Sequence, residues 1–255
     1  MDLPVIQINY PSLAKGWETA VLRCYGEGID VVTEYDKPYD AKTKEISLFL
    51  SIENPFSEPR IHKCMPGGIE DLATYTLEVL YGIHDHWIDD AAGKWSYTYH
   101  QRIENQLQYI IDDLVRDQNT RRAQCTVWRP EEDCGHPHPV CLQRLWLRII
   151  DDKLVMSAHM RSNDAFKACF MNMFAFTEIQ KYIAKEVSKK LNRVIDVGQY
   201  NHIVDSFHIY GSYLPDFIKF MDTLKVRSFE DRTYRTSDVI DIIEEVYNRY
   251  GYSYI

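Results

Sequence analysis

The residues best equipped for chemistry gather between Asn119 and Asn172, around Cys141. Arg121 and Arg122 precede this cysteine, Arg161 follows it, and Asp164 and Asn172 come next. A thiol attacks as its thiolate, and nearby positive charge is what lets a thiolate exist near neutral pH. Forked guanidinium groups are also the side chains best matched to a phosphate. Together these types fit a cysteine nucleophile acting on a phosphorylated small molecule. Taken alone, Cys141 between Val140 and Leu142 suits a buried structural thiol equally well. His208 and Tyr210 stand two apart, so on a strand they can meet one ligand or serve as satisfied polar groups of the core.

The elements that must position these groups follow from hydrophobic period. Residues 11–25 predict a helix through Leu13, Trp17, Ala20 and Val21, and Ile46, Leu48, Leu50 and Ile52 predict a strand ended by Asn54-Pro55. A helix over 70–81 follows Pro66-Gly67-Gly68 and can close at Gly82. The stripe Ile103, Leu107, Ile110, Ile111 and Leu114 makes 101–118 the clearest helix. Residues 121–128 predict a strand, whose alternation would send Arg121 and Arg122 to opposite faces. A hairpin is expected from 142–150 and 154–160 around Asp151-Asp152-Lys153, and a long buried helix over 164–190. The strand 194–210 would place His202, Val204, Ser206, His208 and Tyr210 on one face, before helices over 214–224 and 238–250. Helices and long antiparallel strands without regular βαβ spacing predict an α+β fold, as a single domain over 1–255.

Composition narrows the function. A formal charge of −9 argues against a broad nucleic-acid binder, whose phosphates reward an extended basic surface, but permits a small anion held by a few arginines. No apolar run approaches a membrane span, and Met1-Asp2-Leu3-Pro4 does not open a secretory signal, so a cytoplasmic protein is expected. Six cysteines in a core-rich chain of 255 residues need no disulfide framework. Cys134, His136, His138 and Cys141 offer metal-ligand types, but the prolines among them match no known ligand spacing. A proline-ordered loop entering a strand, without metal, is the expectation.

Several segments together resemble the thymidylate synthase family in its flavin-independent form. They are Asn119-Thr-Arg-Arg122, Val127-Trp-Arg-Pro130, Pro139-Val-Cys141, Met160-Arg-Ser-Asn-Asp164, Phe170-Met-Asn172 and Asp205-Ser-Phe-His-Ile-Tyr210. Their spacing from Arg121 to Asn172 agrees with the family without a gap, and the resemblance is firmest over residues 95–220. It implies a thymidylate synthase-like fold, with a large, mostly antiparallel or mixed sheet packed with helices, in a two-fold homodimer. The activity it implies is transfer and reduction of the methylene carbon of 5,10-methylenetetrahydrofolate onto C5 of dUMP. The alternatives are 5-hydroxymethylation of dUMP, dCMP or CMP, or a non-catalytic nucleotide-binding relative.

Roles for individual residues follow from the same resemblance. Cys141 would add to C6 of the pyrimidine. Arg161 and Ser162 would bind the substrate phosphate, with Arg121 and Arg122 reaching across the dimer interface into the partner's phosphate site. Asn172 would recognise uracil, because a side-chain amide offers both a donor and an acceptor. His208 and Tyr210 would hold the sugar, Asp164 would contact the folate pterin, and Glu78 would join the general-base network. Departures from the pattern fall mostly on the folate side. Leu142 follows the nucleophile where a histidine is usual, while Met160 and Trp146 stand at glutamine positions. At the C-terminus, Tyr254-Ile255 replaces the familiar small apolar ending as the segment that would close over folate.

Overall fold

Alternating apolar residues build a mixed sheet at the centre of the computed structural model, which describes residues 2–254. The first half of the chain forms β1 (Val5–Tyr10), α1 (Leu13–Glu27), β2 (Ile29–Val31), β3 (Thr43–Ile52), β4 (Ile61–His62), α2 (Ile69–Tyr81) and α3 (Tyr99–Arg116). It continues through β5 (Gln124–Thr126), α4 (Pro130–Asp133), β6 (Leu142–Ile150), β7 (Lys153–Asp164) and α5 (Cys169–Leu191). Last come β8 (Asp196–Ile209), α6 (Leu214–Val226), β9 (Thr233–Tyr234) and α7 (Ile240–Arg249). The strand order is β1-β3-β8-β7-β6-β5, with β2 also paired to β3, while β4 and β9 form a separate ribbon. Pairs β1–β3 and β7–β8 are parallel; the other pairings in this sheet are antiparallel. The α+β expectation is met.

Parallel neighbours need a crossover, and α5 supplies the one between β7 and β8. Its Phe and Ala residues and Met173 are buried because the helix lies between the sheet and helices α1, α2 and α3. Trp17 of α1 donates its indole N–H to the Ala165 carbonyl at 2.9 Å, fixing the turn that leads into α5. Deeper along α5, Arg60 pairs with Glu178 at 2.5 Å and donates to Thr177.

Most sequence expectations hold, with informative shifts. The apolar stripe of α3 is buried as expected, and Thr98 caps the helix by accepting from the Gln101 amide at 3.0 Å. The β6–β7 hairpin turns on Asp151 and Asp152, both at positive φ, as a two-residue turn of this twist requires. The strand expected over 121–128 shrinks to β5, leaving Arg121 and Arg122 exposed in the loop before it. The long helix expected from 164 begins only at Cys169, since Asp164 closes β7 and turns the chain. On β8 the predicted one-face alternation fails. Its register against β3 slips between Ile46↔Phe207 and Leu48↔Val204, which leaves Phe207 and Ile209 buried as well as Val204. A second slip, between Leu142↔Met160 and Arg144↔His159, falls just after Cys141. Bulges of this kind re-aim side chains where a sheet borders a site.

The end of β8 is locked onto the loop before β3. The Gly211 amide donates to Thr43 Oγ1 at 3.4 Å, and a Cβ on Gly211 would lie only 1.5 Å from the Ala41 carbonyl oxygen. Gly211→Ala is therefore expected to cost about 1–3 kcal/mol, as overpacking does. Urea unfolding measures this, and an unchanged midpoint would mean that the contact is not fixed.

Candidate active site

Cys141 lies one residue before β6, and because Leu142 pairs with Met160 the cysteine sits beside Arg161 of β7. The Arg161 amide donates to the Cys141 carbonyl at 2.9 Å. Its guanidinium donates to the carbonyls of Val140 at 3.0 Å and Pro139 at 2.6 Å, and its Nη2 stands 3.8 Å from Cys141 Sγ. One cation thus staples the proline loop to the sheet and faces the thiol. Half-buried Cys141 opens on a cavity of about 300 Å³ bounded by the ends of β7 and β8 and by α2 and α5. Burial raises the thiol pKa, and Arg161 opposes that rise.

Ser162, Asp164, Asn172, His208 and Tyr210, all singled out in the sequence, line the same cavity. Ser162 and Asp164 sit opposite Ser206 and His208 in the parallel β7–β8 register, so strand pairing brings these groups together. Asp164 Oδ1 accepts from the amides of Phe166 at 3.0 Å and Lys167 at 2.8 Å. Burial still raises its pKa, with the Lys167 amide and His208 acting against the rise. Tyr210 is pushed up to about 12 by burial and by Asp164, so its hydroxyl stays protonated. His208 is buried, and its Nδ1 meets the Ser206 carbonyl at 3.2 Å. The Ser206 hydroxyl also lies 3.3 Å from Nδ1, so Nδ1 is engaged twice and the remaining ring nitrogen is Nε2. That Nε2 is buried without a partner among the described residues. An orphaned ring nitrogen on a cavity wall suits a ligand hydroxyl, which can either donate or accept.

Asn172 projects from the first turn of α5, and its Oδ1 lies 2.5 Å from the Tyr75 hydroxyl of α2. Beneath this end of the cavity, His202 bridges Asn163 at 2.9 Å and Tyr200 at 2.8 Å. Burial holds His202 down at about 3, so it remains neutral across the physiological range. Burial raises the pKa values of Tyr97 and Tyr99 beside the start of β6, with the backbone at Cys141 and Leu142 acting against the rise. Burial pushes Tyr97 up to about 12, with Cys141 adding to the rise.

Four expected site residues are not among those lining this cavity: Arg161, which borders it through Cys141 Sγ, and Arg121, Arg122 and Glu78, which lie apart from it within one chain. Arg121 and Arg122 line a separate depression with Asp117, Asn119 and Thr120. The Arg121 carbonyl accepts from Trp146 Nε1 at 3.0 Å, which gives Trp146 a structural contact. Glu78 is not among the cavity's lining residues; its carboxylate meets His84 Nδ1 at 2.9 Å. Burial raises the Glu78 pKa, the His84 bond lowers it, and His84 stacks on Trp87 at 3.7 Å.

Cys134, His136, His138 and Cys141 do not converge on a common point among the described residues, and His136 instead pairs with Asp90 at 3.5 Å. Tyr254 donates to Glu178 at 3.4 Å and packs edge-on against Tyr247, while Ile255 lies outside the described residues. Sequence reasoning missed Tyr75, Tyr99 and Met160 as cavity walls. Tyr75 left one signal, since it lies three residues before Glu78 on the helix already identified.

Comparison with known proteins agrees with the geometry. The family model "Thymidylate synthase" matches residues 71–242. A Methanocaldococcus jannaschii protein named "Putative thymidylate synthase" is 31% identical over 227 residues, covering 83% of this chain and 94% of its own. "Thymidylate synthase" of Listeria monocytogenes is 26% identical over 121 residues, covering 48% of this chain and 36% of its own. Thermostable thymidylate synthase A from Bacillus subtilis shares the fold, with a TM-score of 0.65 at 19% identity over 84% of each chain.

The contact between Arg161 and the thiol has a measurable consequence. Thiolate forms as pH rises, and the guanidinium favours it, so Arg161→Ala is expected to shift iodoacetamide alkylation of Cys141 to higher pH. Arg161→Lys, which keeps the charge, is expected to shift it less. Peptide mass mapping of the alkylated protein across pH follows the site, and coincident profiles for all three proteins would refute the coupling.

Proposed function

The chain belongs to the thymidylate synthase family, and from that premise we propose that it is a methyltransferase converting dUMP to dTMP with 5,10-methylenetetrahydrofolate. The observation that carries this reading is the thiol of Cys141 beside the Arg161 guanidinium, opening on a cavity that also holds Asn172 and an unpartnered His208 nitrogen. Binding alone needs no thiol, so these groups together favour catalysis.

In the proposed reaction the Cys141 thiolate bonds to C6 of dUMP. The C5–C6 electron pair moves toward the C4 oxygen and leaves C5 nucleophilic. Asn172 donates to that oxygen as its charge grows, the kind of preorganised stabilisation that lowers a barrier most. Arg161 and Ser162 hold the phosphate, and part of its double negative charge is compensated by the guanidinium that also favours the thiolate. His208 Nε2 hydrogen-bonds the sugar hydroxyl, with Tyr210 adjoining it at a ring separation of 4.5 Å.

The residues present suit the carbon donor. Asp164 is a carboxylate on the cavity wall, and its Oδ1 is already oriented by two backbone amides, so it can accept from the N–H groups of a pterin. The bound folate supplies the one-carbon unit and the reducing hydride. In the proposed homodimer, Arg121 and Arg122 complete the phosphate site of the partner subunit, in keeping with their exposed loop and their distance from the chain's own cavity lining. Glu78, paired to His84, would act on the cavity from its border rather than by lining it.

Incubation with dUMP and 5,10-methylenetetrahydrofolate is expected to yield dTMP, identified by the mass of the nucleotide. A hydroxymethyl product would move the assignment to the alternative transfer, and no carbon gain would remove it. Cys141→Ser should cut turnover by at least about a thousandfold while nucleotide binding persists. Asn172→Asp should move preference toward cytosine nucleotides, checked by competing dUMP and dCMP in one reaction.

A further inference from the structure

The most constrained polar contact in the cavity belongs to a residue that the proposed reaction does not use. Tyr75 lines the cavity from α2, and its hydroxyl lies 2.5 Å from Asn172 Oδ1, its one hydrogen-bond partner among the described residues. On the other side of the amide, Asn172 Nδ2 lies 3.9 Å from Met160 Sδ, a weak acceptor. We propose that Tyr75 is a positioning residue that locks the Asn172 amide with its oxygen toward α2 and its NH2 toward the ligand, and so selects pyrimidines with an oxygen at C4 over those with an amine. The inference rests on the cavity being a pyrimidine nucleotide site, and it adds what sets the specificity there.

An Asn side chain is nearly symmetric in shape, so by itself it can present either end to a base. Uracil and cytosine differ in the polarity of the C4 substituent and N3, and a freely turning amide can satisfy both. Tyr75 removes that freedom. Its phenol is held protonated, because burial and the neighbouring Glu78, Tyr97 and Cys141 all disfavour the phenolate. A protonated phenol in this position donates, and Asn172 Oδ1 is the acceptor in reach. Turning the amide would set NH2 against the phenol and leave the hydroxyl hydrogen without that acceptor, at the cost of an unmade buried hydrogen bond.

The thioether of Met160 does not compete for the amide hydrogens, which stay available to the ligand. The C4 oxygen of uracil accepts from NH2, and the second lone pair of Oδ1 can accept from N3–H. Cytosine offers the opposite pattern at both atoms, an amine against NH2 and a bare nitrogen against Oδ1.

Tyr75→Phe keeps the ring and removes only the donor. Binding of dUMP and of dCMP to the full chain by isothermal titration calorimetry, with thermal melting as a check on folding, gives the preference ratio. The variant is expected to lose at least about tenfold of the dUMP-over-dCMP preference, the scale of one buried hydrogen bond. A merely structural role would weaken both nucleotides alike and leave the ratio unchanged. In an Asn172→Ala background the same change should leave the ratio where it is, since Tyr75 acts through the amide. A wild-type protein that prefers dUMP and a Tyr75→Phe variant that prefers it equally would overturn this inference alone. A wild-type protein that binds neither nucleotide would overturn the nucleotide-site reading and this inference with it.

Discussion

The site depends on one cation shared between structure and chemistry. Arg161 holds the carbonyls of Pro139 and Val140 and stands beside Cys141 Sγ, so the loop that carries the thiol is fixed by the charge that favours its thiolate. Arginine suits this double task, because its planar fork can donate in several directions while staying charged. Arg161 can take this position because β6 and β7 pair there, with its own amide bonded to the Cys141 carbonyl.

Around that cation, burial works on the cavity in one direction. It raises the pKa values of Cys141, Asp164, Tyr99 and Tyr210, each toward its neutral form. Such a cavity disfavours extra negative charge except beside Cys141, where the Arg161 guanidinium stands 3.8 Å from Sγ, and an anionic ligand is therefore drawn there. The same cavity also presents the uncharged Asn172 amide and a ring nitrogen of His208 that is unpartnered among the described residues. A molecule with a charged tail and a polar, uncharged ring matches this combination, as a nucleoside monophosphate does.

Much of the fold was legible because the main elements have strong periods. The stripe of α3, the alternation through Ile46 to Ile52 and the β6–β7 hairpin all fell where the residue pattern put them. Local irregularity set the misses. Arg121 and Arg122 belong to a loop because only Gln124–Thr126 pairs with β6, and pairing is a property of two strands rather than one segment. The helix of the C-terminal half starts late because Asp164 accepts from two backbone amides and turns the chain first.

By itself the sequence determined the chemical kinds present: a thiol, guanidinium groups, an amide and an imidazole, at intervals that match one family. Identity and order along the chain are local, so they survive without coordinates. Only the tertiary structure decided which groups share a cavity. Tyr75 and Glu78 differ by roughly 60° in helical phase, too little for hydrophobic period to separate them, yet Tyr75 reaches Asn172 while Glu78 turns to His84. The register slips near Cys141 and in β8 likewise set side-chain direction at the cavity's end of the sheet. One extra residue in a strand reverses a face, and its presence depends on how neighbouring strands pair.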